Sequence, residues 1–428
     1  MDKAKQSPFD VIVIGSGPGG ATVAKELAIQ GVKVLVLEWG DASPLSGTLA
    51  HMAKIAGIPG KGLFVGRDAS LILRGITTGG SSAINYATAM PPPRALFANH
   101  GIDLSTEIME VLEEVPIAPL PDELIGPMAK RIMRSALGLG LEWHKLDKMI
   151  YVDKCRANCW RCTYGCPFGA KWSARMYLNE ALAHGAKLQT QAKVNRILIH
   201  GQRAVGVEYT CNGMRQQVYA DRVVVAAGGI GTPQILSASK INNAGKNFFV
   251  DPVIAVMGSI KGLEAGREVP MSGGMRLETE GIMLADMTLP RPLYQAFAAQ
   301  VGRFDRLFSH ASTLTMMVKI KDQLSGRMGR LGPDKRLSTD DKNKLAQGVG
   351  IAKEILAHAG ARNIYKSWHF AAHPGGSAKI GEVVNADLKT EINGLYVCDA
   401  SVIPGAWGLP PTYTLLCLGK RLAKHLVS

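Results

Sequence analysis

Residues 9–38 restrict the fold more than any other part of this chain. Phe9 to Ile14, FDVIVI, is a short β-branched run of the kind that forms a fully buried strand, and Gly-Ser-Gly-Pro-Gly-Gly follows it at once. The next stretch, ATVAKELAIQG, has a helical apolar pattern that stops at Gly31, and VKVLVLE then reads as a second buried strand ending in Glu38. Together they predict a βαβ unit. In such a unit Gly15 permits the tight turn, Gly17 lets the backbone approach a pyrophosphate, and Gly20 lets the helix pack close to the strand. The helix N-terminus adds free N–H groups and a partial positive charge. Glu38 is placed to accept hydrogen bonds from a ribose, and an acid there disfavours a 2′-phosphate and hence NADP. The unit alone does not separate FAD from NAD.

A chain of 428 residues has room for two or three domains. No run of 18 or more apolar residues occurs, so no transmembrane segment is expected, and the start, MDKAKQSPFD, lacks a secretory apolar core. The expectation is a cytoplasmic protein in which clustered cysteines serve metal or redox chemistry rather than structural disulfides. The formal charge of +14 favours an acidic partner, and peripheral contact with an anionic membrane stays open. Nucleic acid is not expected, because the Lys and Arg residues are scattered and no recognition motif accompanies them. Between Gly126 and Arg175 ten Lys or Arg face three acids, a local excess of +7 that reads either as a solvated face or as a docking surface.

Three further stretches carry a family resemblance. RGITTGGSSAINYATAMPPP (Arg74 to Pro93), VVVAAGGIGTPQILSASKI (Val223 to Ile241) and NGLYVCDASVIPGAWGLPPTYTLLCLGKRLAKHL are similar, in this order, to signature segments of the glucose-methanol-choline (GMC) oxidoreductases. The resemblance implies FAD. It also implies an α/β fold: a Rossmann-like, discontinuous FAD-binding domain (1–93, 169–249 and 367–428) with a smaller α+β substrate domain (94–151 and 250–366). It places Gly79, Gly80, Ser81, Ser82 and Asn85 against the flavin, Val194 near the adenine, and Gly228 and Asp399 at strand ends that face the cofactor. On physical grounds Gly79 and Gly80 allow a backbone to approach a flat ring, and the serine hydroxyls and the Asn85 amide can donate to it; the plain alternative for the serines is helix capping. Elsewhere AKLQTQAKVNRILIHGQRAVGVEY alternates as a hairpin with its turn at Gly201-Gln202, and Ser338 to Gly360 reads as a capped helix with a glycine stop.

Cys155, Cys159, Cys162 and Cys166, in the loop 152–168, are spaced C-x3-C-x2-C-x3-C with Pro167 next. The second half matches the ending of the bacterial ferredoxin run, and sulfur ligands suit an iron–sulfur cluster, most naturally [4Fe-4S], or zinc. Thiols or disulfides without metal remain a third reading. A cluster takes electrons one at a time, which favours a dehydrogenase that passes electrons from FAD to a protein or quinone carrier, with an acidic electron carrier or partner subunit on the basic collar. The reverse flow, reduction of a C=C or C=O bond, and a pure electron-transfer subunit are the alternatives. Cys211, Cys398 and Cys417 read as buried packing residues.

The motif His373-Pro-Gly-Gly resembles the family's segment with the catalytic histidine, which implies His373 as general base or acid toward a small-molecule CH–OH substrate; imidazole chemistry suits the role. The family's second His or Asn falls at Pro410, which offers no side-chain donor. His369 or Tyr413 is the expected substitute. Met271, Met275, Met283, Met287, Met316 and Met317 serve as core residues or line an apolar substrate pocket.

Overall fold

The computed structural model describes residues 8–68, 70–241, 243–329 and 332–428. Its first strand β1 (Phe9–Ile14), helix α1 (Pro18–Ile29) and second strand β2 (Val34–Leu37) form the expected βαβ unit, with β1 and β2 parallel. Burial drives this arrangement: Val11 to Val13, Val34 and Val36 are at most 1% exposed, and Leu27 of α1 is fully covered. Each such side chain contributes about 1.5–3 kcal/mol relative to exposure, well above what strand propensity alone supplies.

Seven strands join in this first sheet. β1 lies between β2 and the long strand Met214–Val225, β2 pairs with Lys187–Gln189, and Leu395–Val397 runs parallel to the end of Met214–Val225. The predicted hairpin is present as Lys193–His200 and Arg203–Cys211, and the second of these pairs with the start of Met214–Val225. The consequence is a shared edge. β1, β2, Met214–Val225 and Leu395–Val397 are mutually parallel through the network, so their carboxyl ends open on one side of the sheet.

The second sheet is mainly antiparallel and has nine strands, with Pro252–Ser259, Thr313–Ile320 and Ile282–Asp286 at its centre. Two stretches expected in the cofactor domain, the hairpin Leu63–Val65 with Leu71–Leu73 and the short strand Phe370–Ala371, pair here instead. The sequence boundaries at 93 and 367 therefore do not coincide with the sheet boundaries. These strands are only two or three residues long, too short to carry a periodic signal.

Alternation along the central strands separates the two faces. Ile254, Val256, Leu284, Val318 and Ile320 pack with Leu345, Val349, Ile355 and Leu356 of the helix Thr339–His358. Val253, Met257, Met283 and Met317 point the other way, into the core shared with the first sheet. The helix Thr339–His358 starts as its sequence predicts: Ser338 accepts from the Asp341 N–H at 3.1 Å and Asp341 accepts from the Ser338 N–H at 2.9 Å. Replacing Ser338 with Ala removes one half of this box. Urea unfolding should show a loss of about 1 kcal/mol with the cofactor spectrum unchanged.

Candidate active site

A cavity of about 1070 Å³ lies along the shared edge of the first sheet and continues to the second. This is at the top of the usual range for small-molecule sites, about 300–1,000 Å³. Gly15 follows β1, Glu38 follows β2, Gly228 follows Met214–Val225, and Asp399 follows Leu395–Val397; all four line it. Ligands of parallel α/β sheets settle at such an edge, because loops there diverge and leave backbone groups unpaired.

The glycines divide by what a Cβ would meet. At Gly15, which has φ +95°, and at Gly20, a Cβ would lie 2.4 Å and 2.1 Å from carbonyl oxygens of Ala226 and Gly15, so both permit close packing. At Gly17 a Cβ would meet nothing within 4 Å, because that backbone faces the open cavity. Gly79 and Gly80, at φ +80° and +55°, start the turn Gly80–Ile84, and Gly80 sits against Gly17. This glycine-lined floor accommodates a dinucleotide in shape, and the N-terminus of α1 faces it in charge.

The polar groups on the floor hold one another. Glu38, 5% exposed, accepts from the Ser16 N–H at 3.0 Å, the Ser16 hydroxyl at 2.7 Å and the Gly40 N–H at 2.7 Å; burial pushes its carboxyl pKa up. Asp399 accepts from the Gly228 N–H at 2.9 Å, the Ser401 N–H at 2.8 Å and the Thr232 hydroxyl, and burial raises it as well. Val194 lines the wall from Lys193–His200. The Ser82 hydroxyl is committed elsewhere, whereas the Ser81 hydroxyl only accepts. Ser82 donates to Gly79 O at 2.5 Å and accepts from Ala174 N–H at 2.9 Å, and Ser81 accepts from Gly75 N–H at 3.0 Å. Ser82 thus has no proton left to give a flavin, and its role is to tie the loop to the start of the helix Arg175–Ala183. The Asn85 amide donates to Thr412 at 3.3 Å, and its oxygen accepts from Ala87 N–H at 3.0 Å.

At the other end His373 projects into the cavity, with a quarter of its side chain exposed there. Its Nδ1 lies 3.0 Å from Asp251, which is fully buried, sits at φ +46° and accepts from the Gly408 N–H at 2.7 Å. Burial, then the charge of Lys319, lowers the His373 pKa well below 6.5, so the ring is neutral near pH 7. Burial raises Asp251, against the pull of Lys319. With Nδ1 turned to the carboxylate, Nε2 is the nitrogen free to receive a proton.

Neither expected substitute for the side chain absent at Pro410 reaches the cavity. His369 bonds Asp68 at 2.9 Å outside its lining; burial opposes ionisation of Asp68, but hydrogen bonds from His369 and Ser70 hold it at about 2. Tyr413 donates to Ile108 O at 2.9 Å, in the core. The methionines split. Met271, Met287 and Met317 line the cavity, whereas Met275 and Met316 pack on the far face of the second sheet.

Cys155, Cys159, Cys162 and Cys166 are free thiols that border one small hollow, together with Lys171. Among the described residues no three His, Cys, Asp or Glu form a group that could hold a metal ion. Burial pushes the Cys155 thiol up to about 12 and raises Cys162, which Lys171 and Lys148 oppose. The expected basic collar is smaller than its sequence count. Lys148 and Lys171 are buried, and Arg175 is tied to Thr78 O, Ser43 O and Thr77 at 2.7–2.8 Å. Lys171 donates to Ser82 O, Ala83 O and Asn85 O at 2.9–3.0 Å, so it links the cavity loop to the cysteine hollow. Lys148 donates to Tyr86 O and Pro270 O at 2.6 and 2.9 Å. Burial lowers both lysines to about 8, with Cys162 the strongest opposing influence. The other three cysteines, Cys211, Cys398 and Cys417, are buried, as their strand and helix patterns predict.

Asp251, Lys319, Ser16 and the inward turn of Lys148 and Lys171 were not singled out from sequence. Lys319 shares its parity in TLTMMVKI with Thr313 and Thr315, so alternation alone reads it as a polar-face residue, although every position of the strand is buried. Asp251 and Ser16 carry no periodic mark.

Family models of GMC oxidoreductases match residues 9–253 (N-terminal part) and 317–419 (C-terminal part). An uncharacterized protein of Methanocaldococcus jannaschii is 26% identical over 98% of this chain and all of its own length. A long-chain-alcohol oxidase of Arabidopsis thaliana is 24% identical over 98% of this chain and 68% of its own. Among solved structures, pyridoxine 4-oxidase (Mesorbium loti) superposes with a TM-score of 0.76 at 16% identity, covering 97% of this chain and 99% of that one. A formate oxidase variant of Aspergillus oryzae RIB40 gives 0.73 at 16%, with 99% and 98% covered. The two family matches, over most of the chain and in order, establish that it belongs to the GMC oxidoreductases, FAD-dependent enzymes acting on CH–OH donors.

Proposed function

We propose that the protein oxidises a CH–OH group of a small, partly apolar substrate, with His373 as the general base, and that electrons leave through a centre held by the four loop cysteines. The observation that carries the first part is His373 in the cavity wall, neutral, with Asp251 on its Nδ1. Bound FAD would supply the hydride acceptor. Gly15, Gly17 and the N-terminus of α1 would hold its pyrophosphate, Glu38 its ribose, Val194 its adenine, and Gly79, Gly80, Asn85, Gly228 and Asp399 would border the rest. Asp251 fixes the tautomer and orientation of His373, so that Nε2 takes the hydroxyl proton. The side chains of Met271, Met287, Leu293, Met317 and Phe370 exclude water beside it and suit an apolar substrate body.

Four thiols around one hollow, with two buried lysines nearby, support a metal–thiolate centre. Lys148 and Lys171 have only neutral oxygens as hydrogen-bond acceptors; Asp286 offsets part of the Lys148 charge, and an anion at the thiols beside Cys162 would offset the rest. Four thiolates on a [4Fe-4S] core carry a net charge of about −2, which matches them. Such a cluster would supply a one-electron exit, beside the loop residues Thr163 and Tyr164 that line the cavity. Lys154, Arg156 and Arg161 are exposed at the loop and suit an acidic carrier.

His373→Ala should slow anaerobic flavin reduction by a panel of primary alcohols about 10²–10⁴-fold with FAD content unchanged; unchanged reduction overturns the assignment. Because His373 acts only when neutral and its pKa is lowered, the acid limb of the wild-type rate profile should fall below pH 6.5. Gly17→Ala should fold normally yet retain less FAD, whereas Gly19→Ala, whose Cβ would lie 2.0 Å from Cys398 O, should lower the unfolding temperature as well. Protein purified without oxygen should contain about four iron and four acid-labile sulfide per chain. Zinc alone, or iron-free protein with full turnover on dioxygen, contradicts the electron exit.

A further inference from the structure

Among the described residues, the strands of the second sheet present one charged side chain to the cavity. Strand register sets Lys319 between Val253 and Met283 of its two neighbours, on the face that also carries Met317. Its residue is 1% exposed, it lines the cavity, and its Nζ has no hydrogen-bond partner among the described residues. Other buried lysines have hydrogen-bond acceptors: Lys335 pairs with Asp322 at 2.7 Å, and Lys148 and Lys171 are ringed by neutral oxygens. Asp251, the carboxylate whose charge acts on Lys319, bonds His373 and the Gly408 N–H but makes no hydrogen bond to Lys319. An ammonium group left without an acceptor costs several kcal/mol, so it persists where a ligand oxygen completes it. Burial lowers its pKa to about 8 against the pull of Asp251, which leaves it largely charged at neutral pH.

On this basis, and resting on the CH–OH reading above, we propose that Lys319 is the oxyanion-binding residue of the substrate chamber: it holds a substrate oxygen that bears or develops negative charge, beside His373 and within an apolar wall. It thereby takes the place of the donor that Pro410 lacks. The step balances simply. The hydroxyl O–H bond breaks, its proton goes to His373 Nε2, and the oxygen's electron pair is stabilised by Lys319 until the C–H hydride leaves for the flavin and the carbonyl forms. The same ammonium accepts a fixed carboxylate if the natural substrate is a hydroxy acid. Either way the substrate class is an amphiphile, with an apolar body for Val253, Met271, Met287 and Met317 and one oxygen for Lys319.

The test uses the oxidised holoenzyme and two eight-carbon probes that carry no oxidisable hydroxyl, octanoate and the neutral octanamide, followed by the perturbation of flavin absorbance. Octanoate should bind, and Lys319→Met should raise its dissociation constant at least tenfold, while Lys319→Arg keeps most of the affinity. The constant for octanamide should move less than threefold among the three proteins. Octanoate binding that is absent in the wild type, or equal in Lys319→Met, overturns the proposal. FAD content and melting temperature of Lys319→Met report folding; Met matches the length of the stem and removes a lone buried charge, which proteins tolerate. Flavin reduction then separates the two sources of negative charge. A fall in limiting rate with neutral alcohols marks the alkoxide, and a rise in half-saturation confined to hydroxy acids marks the carboxylate. Binding of octanoate requires no turnover, so it stands or falls separately from the oxidation chemistry tested at His373.

Discussion

The carboxyl ends of the parallel strands β1, β2, Met214–Val225 and Leu395–Val397 must coincide, and the rest of the site depends on that register. Parallel pairing leaves the following loops to diverge from one edge, and each contributes a backbone group or an acid there: Gly15, Glu38, Gly228, Asp399. The close glycine contacts are consequences of the same demand. Where Gly20 meets Gly15 O and Gly19 meets Cys398 O, no Cβ fits, and the helix is drawn in until its N-terminus faces the cavity.

The second constraint is electrostatic. Three lysines, 148, 171 and 319, are buried around the active-site loop and sheet without carboxylate hydrogen-bond partners. Burial of an ammonium is tolerated only with compensation. For two of them ringing carbonyl oxygens supply part, and the opposing influences are Cys162 for both and Asp286 for Lys148. For Lys319 the cavity itself is the open side. Buried lysines therefore flank the chamber on two sides, Lys319 on the second sheet and Lys148 with Lys171 at the cysteine hollow, and Lys171 ties that hollow to the cavity loop through Ser82, Ala83 and Asn85.

What was legible in the sequence follows from range. The βαβ unit, the hairpin about Gly201 and the capped helix after Ser338 are local: period, turn residues and caps lie within a few residues of each other. His373 was legible through its motif, and it does reach the cavity. His369 was not resolved from it by spacing, because its partner, Asp68, lies 301 positions away. Asp251 and Lys319 depend on strand register between distant segments, which no single-sequence period encodes. The basic excess near the cysteines was read as surface, yet Lys148 and Lys171 turn inward. The hydroxyl of Ser82, expected at a flavin, is consumed by Gly79 O and Ala174 N–H.

The most direct measurement is a crystal structure of the purified holoenzyme with its native flavin. The account requires the pyrophosphate over Gly15–Gly17, the adenine end beside Val194, and the isoalloxazine ring in the stretch of cavity that His373 and Lys319 border. Density for a different nucleotide, or a ring seated out of reach of His373 Nε2, would contradict it.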